Sequence, residues 1–233
     1  MIPFQMDYYD NLNTTLLNLV EPQARRICEF GCAAGAMARA IKKQNPAVHY
    51  VGVELVAEQL QRASDVLDIA VNCNLDDIKD WSQHDAMHAA LPVASFDHVI
   101  FADVLEHLYD PQHALNQATL RLAPGGSALI CLPNVQHWSV FAHLALGTWP
   151  QEDAGLFDRT HIRWFTLNDM VQLLQRAGLV VETIKDRTYV TEQGRSILED
   201  LQALAFNVGV DPDELVQRGL PFQYVLVGRK PAN

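Results

Sequence analysis

From Arg26 onward, short apolar runs alternate with amphipathic stretches, and this alternation constrains the fold more than any other feature. Runs of four to eight apolar residues read as strands buried on both faces, and the stretches between them are long enough to cross back as helices. Parallel strands need such crossovers, so the expected class is α/β, a doubly wound, mostly parallel sheet with helices on both faces. Arg26–Phe30, His49–Glu54, Ile69–Cys73, Phe96–Ala102 and Ala128–Leu132 are the first five strands. Val180–Val190 and Phe222–Arg229 complete seven, with the last pair forming an antiparallel edge.

The helices carry their own punctuation. Residues 8–20 place Leu12, Leu16, Leu19 and Val20 on one face, and Ala36–Lys43 is stopped by Asn45-Pro46. Ala57–Val66 is the second crossover. Asp110-Pro111 supplies an N-cap and a first-turn proline to a helix that buries Ala114, Leu115, Ala118 and Leu122 and ends at Pro124-Gly125-Gly126. Thr166-Leu167-Asn168-Asp169 reads as a capping box before Met170, Val171, Leu174 and Ala177, and Gly178 closes that helix. Two segments break the alternation: 136–150, aromatic and His-rich, and 191–219. In the latter, Ile197, Leu198, Leu201, Leu204, Ala205 and Val208 share a helical face. With no repeat or linker, residues 1–233 read as one domain with two helical additions. The 191–219 face is expected to pack on another element, within the chain or in a homodimer.

The 233 residues carry 17 Lys plus Arg against 28 Asp plus Glu, a net charge of −11, which argues against a nucleic-acid binder because no basic excess exists to displace counterions. Cys28, Cys32, Cys73 and Cys131 form no Cys-x-x-Cys pair and read as reduced thiols. The beginning of the chain lacks a secretory pattern and no run is long enough for membrane insertion, so a cytoplasmic protein is expected.

Two motifs carry chemistry. Glu29-Phe30-Gly31-Cys32-Ala33-Ala34-Gly35 is a turn from the first strand into a helix, where glycines let backbone approach a ligand and free N–H groups are on offer. It has Ala33 where a dinucleotide fingerprint has its middle glycine, so a tight turn with no ligand remains open. Nineteen residues after Gly35, Glu54 ends the second strand, at the sheet edge where open α/β folds bind ligands. Its carboxylate can accept both hydroxyls of a ribose. Loop and acid together favour a nucleoside.

At these residues the sequence resembles the class I, seven-stranded, Rossmann-like S-adenosylmethionine-dependent methyltransferases, in their bacterial small-molecule and glycan branch. The match runs from about Tyr8 to Gly178. It takes in Glu29–Gly35, Glu54, Asp97, Asp103-Val104-Leu105-Glu106-His107-Leu108 and Leu122-Ala123-Pro124-Gly125-Gly126. Leu132-Pro133-Asn134 and Asp158-Arg159-Thr160-His161-Ile162-Arg163-Trp164-Phe165-Thr166 complete it. The resemblance implies S-adenosylmethionine as cofactor, with Glu29, Gly31, Cys32 and Gly35 around its methionine part and Glu54 on the ribose. The adenine would lie between Leu55 and Asn74-Leu75, with Ala102, Asp103, Val104 and His107 at the pocket floor. The sequence departs from the family at Ala33, which adds a methyl, and at Asn74, where the family often has an aspartate. Asp76 or Asp77 could serve the adenine amino group instead.

Aromatic faces favour a cationic sulfonium, and Tyr8, Tyr9 and Phe30 are candidates, each also placed for packing. Tyr8 is counted on the acceptor side as well. Of the nine histidines, His161 and His107 are the candidate bases. No His-Glu-x-x-His spacing points to zinc, and no metal is expected. The acceptor-side expectation is that His161 takes a hydroxyl proton, Asp158 orients its ring and Arg163 binds an anionic part of the substrate. The structural alternative for His161 is a hydrogen bond that fixes its loop. Relatives with the Thr160-His161-Ile162-Arg163 signature imply a sugar, glycan precursor or small hydroxylated metabolite as acceptor. Two other readings are a non-catalytic cofactor-binding protein and a nicotinamide-dependent oxidoreductase, the latter lacking its glycine and its Tyr-x-x-x-Lys.

Overall fold

The structure is a computed structural model that describes residues 12–232. Seven strands form one sheet: β1 (Arg26–Phe30), β2 (His49–Glu54), β3 (Ile69–Asn72), β4 (Phe96–Ala102), β5 (Leu122–Pro133), β6 (Val180–Thr188) and β7 (Pro221–Arg229). Their order is β3-β2-β1-β4-β5-β7-β6. Strands β1 to β5 pair in parallel, and β7 runs antiparallel to both neighbours, so β6 points the same way as the first five. The terminal pair does form the edge. The last strand, however, is the inner member, inserted between β5 and β6. The order reverses at β1/β4, where the chain leaves an edge crevice at the strands' carboxyl ends.

Side-chain alternation along β1 sorts the core into two layers. Cys28 and Phe30 face one side with Val51, Val53, Val99 and Phe101, covered by α4 (Asp85–Ala90), α5 (Pro111–Arg121) and α7 (Leu167–Arg176). Ile27 faces the other with Tyr50, Ile100 and Leu129, beneath α1 (Thr14–Leu17) and α2 (Ala36–Gln44). The α3 helix (Ala57–Ala63) covers β2 and β3. Asp97 ties the sheet's lower end together, its Oδ2 accepting from the Arg25 and Arg26 N–H groups at 2.7 and 2.9 Å.

Several expectations are corrected. The first helix covers one turn of the described residues, capped by Asn13. Leu122 and Pro124-Gly125-Gly126 belong to β5, because the chain turns directly from Arg121 into the strand and Gly125 takes a φ of +77°. The six-residue α4 was not anticipated, being too short to show a period. The additions are α6 (Trp138–Ala145), α8 (Glu192–Val208) and α9 (Pro212–Gly219). Leu198, Leu201 and Ala205 of α8 bury against Leu215 of α9 and Trp138 and Phe141 of α6, so this face packs inside the chain. Leu204 and Val208 do not join them; both are exposed. Gly194 is where α8 meets α6, since an added Cβ would lie 2.6 Å from the Trp138 ring.

Candidate active site

The turn after β1 is built on left-handed backbone. Gly31, Ala33 and Gly35 have φ of +72°, +45° and +83°. For Gly31 this is conformational need and close approach together, because a Cβ there would sit 2.4 Å from Val104 Cγ2. Ala33 adopts the same region at a cost of about 1–2 kcal/mol. The departure seen in sequence therefore leaves the turn intact but strained. Gly31 N–H and Cys32 N–H both donate to Val53 O, at 2.8 and 3.2 Å, which holds the loop against the end of β2.

Glu54 completes that clasp. Its Oε2 accepts from Ala33 N–H at 2.9 Å and its Oε1 from Val56 N–H at 2.8 Å. Asn72 donates to the main-chain oxygens of Glu54 and Leu55 at 2.8 and 2.9 Å, a partner the sequence reading missed. Each carboxylate oxygen keeps a further lone pair. Beside it Leu55 is 61 % exposed, an apolar face at the sheet edge. Glu29 is buried and accepts from Tyr50 Oη at 2.8 Å. Burial pushes its carboxyl up to about 8, the Tyr50 bond pulling it back and the Glu54 charge adding to the rise.

Other expected contacts are redistributed. Phe30 is wholly buried, stacked on Phe101 at 4.6 Å and beside Trp81 at 4.9 Å, so it packs the core and offers no face to a sulfonium. Tyr8 and Tyr9 lie outside the described residues. Cys32 is buried with its thiol toward Gly52, and burial raises its pKa, which makes it an inert packing group. Asn74 Oδ1 caps the turn Leu75–Asp77 by accepting from Asp76 N–H at 3.2 Å, and Leu75 is buried. Asp76 accepts from Tyr109 N–H at 3.0 Å and thereby ties this turn to the loop after β4.

That loop begins at Ala102, half-buried at the end of β4, followed by Asp103 with a φ of +56°. Gln223 of β7 donates to Asp103 Oδ1 and accepts from Arg187 of β6. Burial raises Asp103 to about 6, with Arg187 opposing. Next comes the turn Leu105–His107. Glu106 is wholly buried, and neither carboxylate oxygen has a hydrogen-bond partner among the described residues. Its main-chain oxygen accepts from Ile162 and Arg163 N–H, both at 3.0 Å, which docks the 158–165 stretch onto the β4 loop.

The docking brings both candidate histidines together, with ring centroids 4.8 Å apart. The Asp158 assignment is corrected: its Oδ1 accepts from Thr160 N–H at 2.8 Å and Thr160 Oγ1–H at 2.6 Å. Thr160 Oγ1 lies 3.1 Å from His107 Nδ1, so the acid orients His107 rather than His161. His161 is nearly buried, its Nδ1 3.3 Å from Leu156 O and its Nε2 3.8 Å from Glu106 Oε1. Burial, then the neighbouring His107, lowers its pKa. Arg163 spends its guanidinium on Tyr109 O at 2.6 Å and Ile162 O at 3.1 Å. It lines a cleft of about 390 Å³ between the start of α5 and α7, with Trp164, Asp169 and Arg176. The sequence motifs contained Glu106 and Thr160, yet nothing in the pattern revealed the burial of one or the bridging role of the other.

Aromatic rings gather beside the 158–165 stretch. Trp149 meets Phe157 and Trp164 edge-on at 5.4 and 5.9 Å, and His143 meets Phe157 at 4.8 Å. Both tryptophans remain more than a third exposed.

Sheet order, glycine turn and terminal acid of β2 define the class: a Rossmann-like fold of the S-adenosylmethionine-dependent methyltransferases. The chain belongs to the methyltransferase domain family, whose profile matches residues 5–184. It is 34 % identical over 101 residues to 27-O-demethylrifamycin SV methyltransferase of Amycolatopsis mediterranei (strain S699). That match spans 43 % of this chain and 36 % of the relative. A methyltransferase structure from Mesorhizobium loti has a TM-score of 0.60 at 18 % identity, covering 93 % of this chain and 96 % of that one. One from Archaeoglobus fulgidus has a TM-score of 0.59 at 16 % identity, covering 90 % and 87 %. At those identities the likeness is one of fold.

S-adenosylmethionine is the cofactor of this class, and the residues present fit it. The crowding of Gly31 by Val104, the lone pairs left on Glu54 and the bare face of Leu55 suit a nucleoside with an apolar base. Among the described residues no helix is long and apolar enough to cross a membrane.

Proposed function

We propose that this protein methylates a hydroxyl oxygen of a small metabolite or sugar. When bound, S-adenosylmethionine supplies a methyl group already activated on its sulfonium. The Gly31–Gly35 turn and Glu54 would hold it, and Glu29 would stand near its methionine part. The chain's remaining tasks are to orient the acceptor, exclude water and accept one proton.

The observation that carries this reading is the Asp158–Thr160–His107 chain at the carboxyl edge of β4. Thr160 gives its hydroxyl proton to Asp158, so its oxygen accepts the Nδ1–H of His107, as does Thr160 O at 3.2 Å. The neutral ring is thereby fixed with its lone pair on Nε2. The hydroxyl loses its proton at the cluster of His107, His161 and Glu106, whose most accessible member is His107. Trp149 and Trp164 would shelter the acceptor, and Arg163, which already donates to two main-chain oxygens, would use its remaining N–H groups on an anionic part of it. The relative's printed name, which places a methyl on an oxygen, supports a hydroxyl acceptor.

His107→Ala should keep its affinity for S-adenosylmethionine and lose about a hundredfold to ten-thousandfold in methyl transfer, the usual contribution of a positioned base. A transfer screen with nucleotide sugars and other hydroxylated metabolites, paired with calorimetric cofactor titration, reads both. Parent-rate transfer by this variant would remove the cluster from the chemistry. A homodimer through the exposed Leu204 and Val208 of α8 is a further part of the proposal, and a monomer by light scattering at high concentration would refute it.

A further inference from the structure

We infer that Glu106, His107 and His161 form a binding site for one divalent first-row transition cation, such as zinc, cobalt or manganese. Each contributes one ligating atom, and these atoms all lie within 4.8 Å of one another. The geometry has three features that ordinary packing does not require.

Glu106 is 0 % exposed with neither carboxyl oxygen hydrogen-bonded among the described residues, although a buried polar group without a partner costs about 1–3 kcal/mol, more when charged. Such a group calls for a counterpart, and a cation beside it removes the deficit. Secondly, both histidines turn the same nitrogen outward to the protein. His107 Nδ1 is 3.2 Å from Thr160 O, and His161 Nδ1 is 3.3 Å from Leu156 O. A carbonyl oxygen only accepts, so each Nδ1 carries the proton and each Nε2 keeps its lone pair. Metal-binding histidines are commonly held this way, with the far nitrogen donating to a carbonyl or carboxylate. Thirdly, the Asp158–Thr160 pair extends that support on His107 by another step.

Two imidazoles and one carboxylate suit a first-row transition ion rather than magnesium or calcium, which prefer all-oxygen shells. Metal–ligand bonds of about 2.0–2.2 Å place tetrahedral ligand atoms about 3.4 Å apart. His161 Nε2 and Glu106 Oε1, at 3.8 Å, are close to that already. His107 is half-buried and has room to close the remainder. With the ion bound, His107 Nε2 is a ligand and not the base; the positive charge instead lowers the pKa of a coordinated hydroxyl, whose proton then passes to water. That role rests on the hydroxyl-methylation reading; the site itself does not.

The test uses the full chain, dialysed against a chelator and then titrated with Zn²⁺ by calorimetry and with Co²⁺ by visible absorption. About one ion per chain should bind, and His107→Ala and Glu106→Gln should each weaken binding at least as much as losing an outer partner does, about 10–100-fold. His88→Ala, at an exposed histidine on α4, should leave it unchanged. Melting temperature and cofactor affinity confirm that the variants fold, and His107→Ala, at a half-buried position, keeps the test valid should Glu106→Gln fail to do so. No uptake by the parent chain, or equal uptake by the parent and a folded ligand variant, overturns the site. Cation binding without methyl transfer to any hydroxyl would instead overturn the acceptor reading and leave the site standing.

Discussion

Glu29→Gln should make the protein more stable in neutral and mildly alkaline solution, although it removes a hydrogen-bonded acid at the centre of the site. Glu29 sits under the Gly31 turn, 4 % exposed, with Tyr50 Oη its one side-chain partner among the described residues. Burial raises its carboxyl from the ordinary 4.5 to about 8. Between those values the folded chain holds a proton that the unfolded chain has released, so stability falls as pH rises through the window and levels off above pH 8. At about 1.4 kcal/mol per unit, the loss from pH 4.5 to pH 7 is about 3 kcal/mol from this group. Glutamine keeps the volume and a hydrogen bond with Tyr50 but does not titrate. Urea unfolding of parent and variant at pH 5, 7 and 9, without cofactor, reads the difference and cancels the contributions of Asp103 and Glu106. The stability gap should widen by about 3 kcal/mol or more between pH 5 and pH 9. A constant gap would show that Glu29 is ionised in the folded protein and refute the desolvation argument.

Ala33→Gly should relax the left-handed turn and raise stability by about 1 kcal/mol, the strain relieved less the entropy that glycine adds to the unfolded chain; a loss of that size in urea unfolding would show the φ of +45° to be unstrained. Glu54→Ala should weaken S-adenosylmethionine binding by about 1–3 kcal/mol, because it removes a charged acceptor and frees the Ala33 and Val56 N–H groups. Unchanged calorimetric affinity would take Glu54 out of the site. Gly194→Ala pushes a methyl to within 2.6 Å of Trp138, and overpacking of this kind costs about 1–3 kcal/mol. Methyl transfer should drop while cofactor affinity holds, since α6 leads into the Trp149 segment and not into the cofactor turn; loss of both would place the helical additions in the cofactor site.

The sequence by itself determined the layers and the turn that follows β1. Hydrophobic period, capping residues and the glycine turn act over a few neighbouring positions, so Asp110-Pro111, Thr166–Asp169, Gly31 and Glu54 could be read where they stand. Tertiary structure alone decided which groups share a space. Glu106 and His107 are adjacent in sequence and equally polar, yet one is sealed under the 158–165 stretch and the other is left accessible, because the docking of that stretch covers the first and reaches around the second. Asp158 stands nearer in sequence to His161 than to His107, and the fold joins it to His107 through Thr160, 53 residues away. Phe30 lies beside the turn in sequence but points into the core because a strand alternates its faces. Local physics writes itself into spacing. Burial, pairing and the proton state of a carboxyl depend on what arrives from elsewhere in the chain.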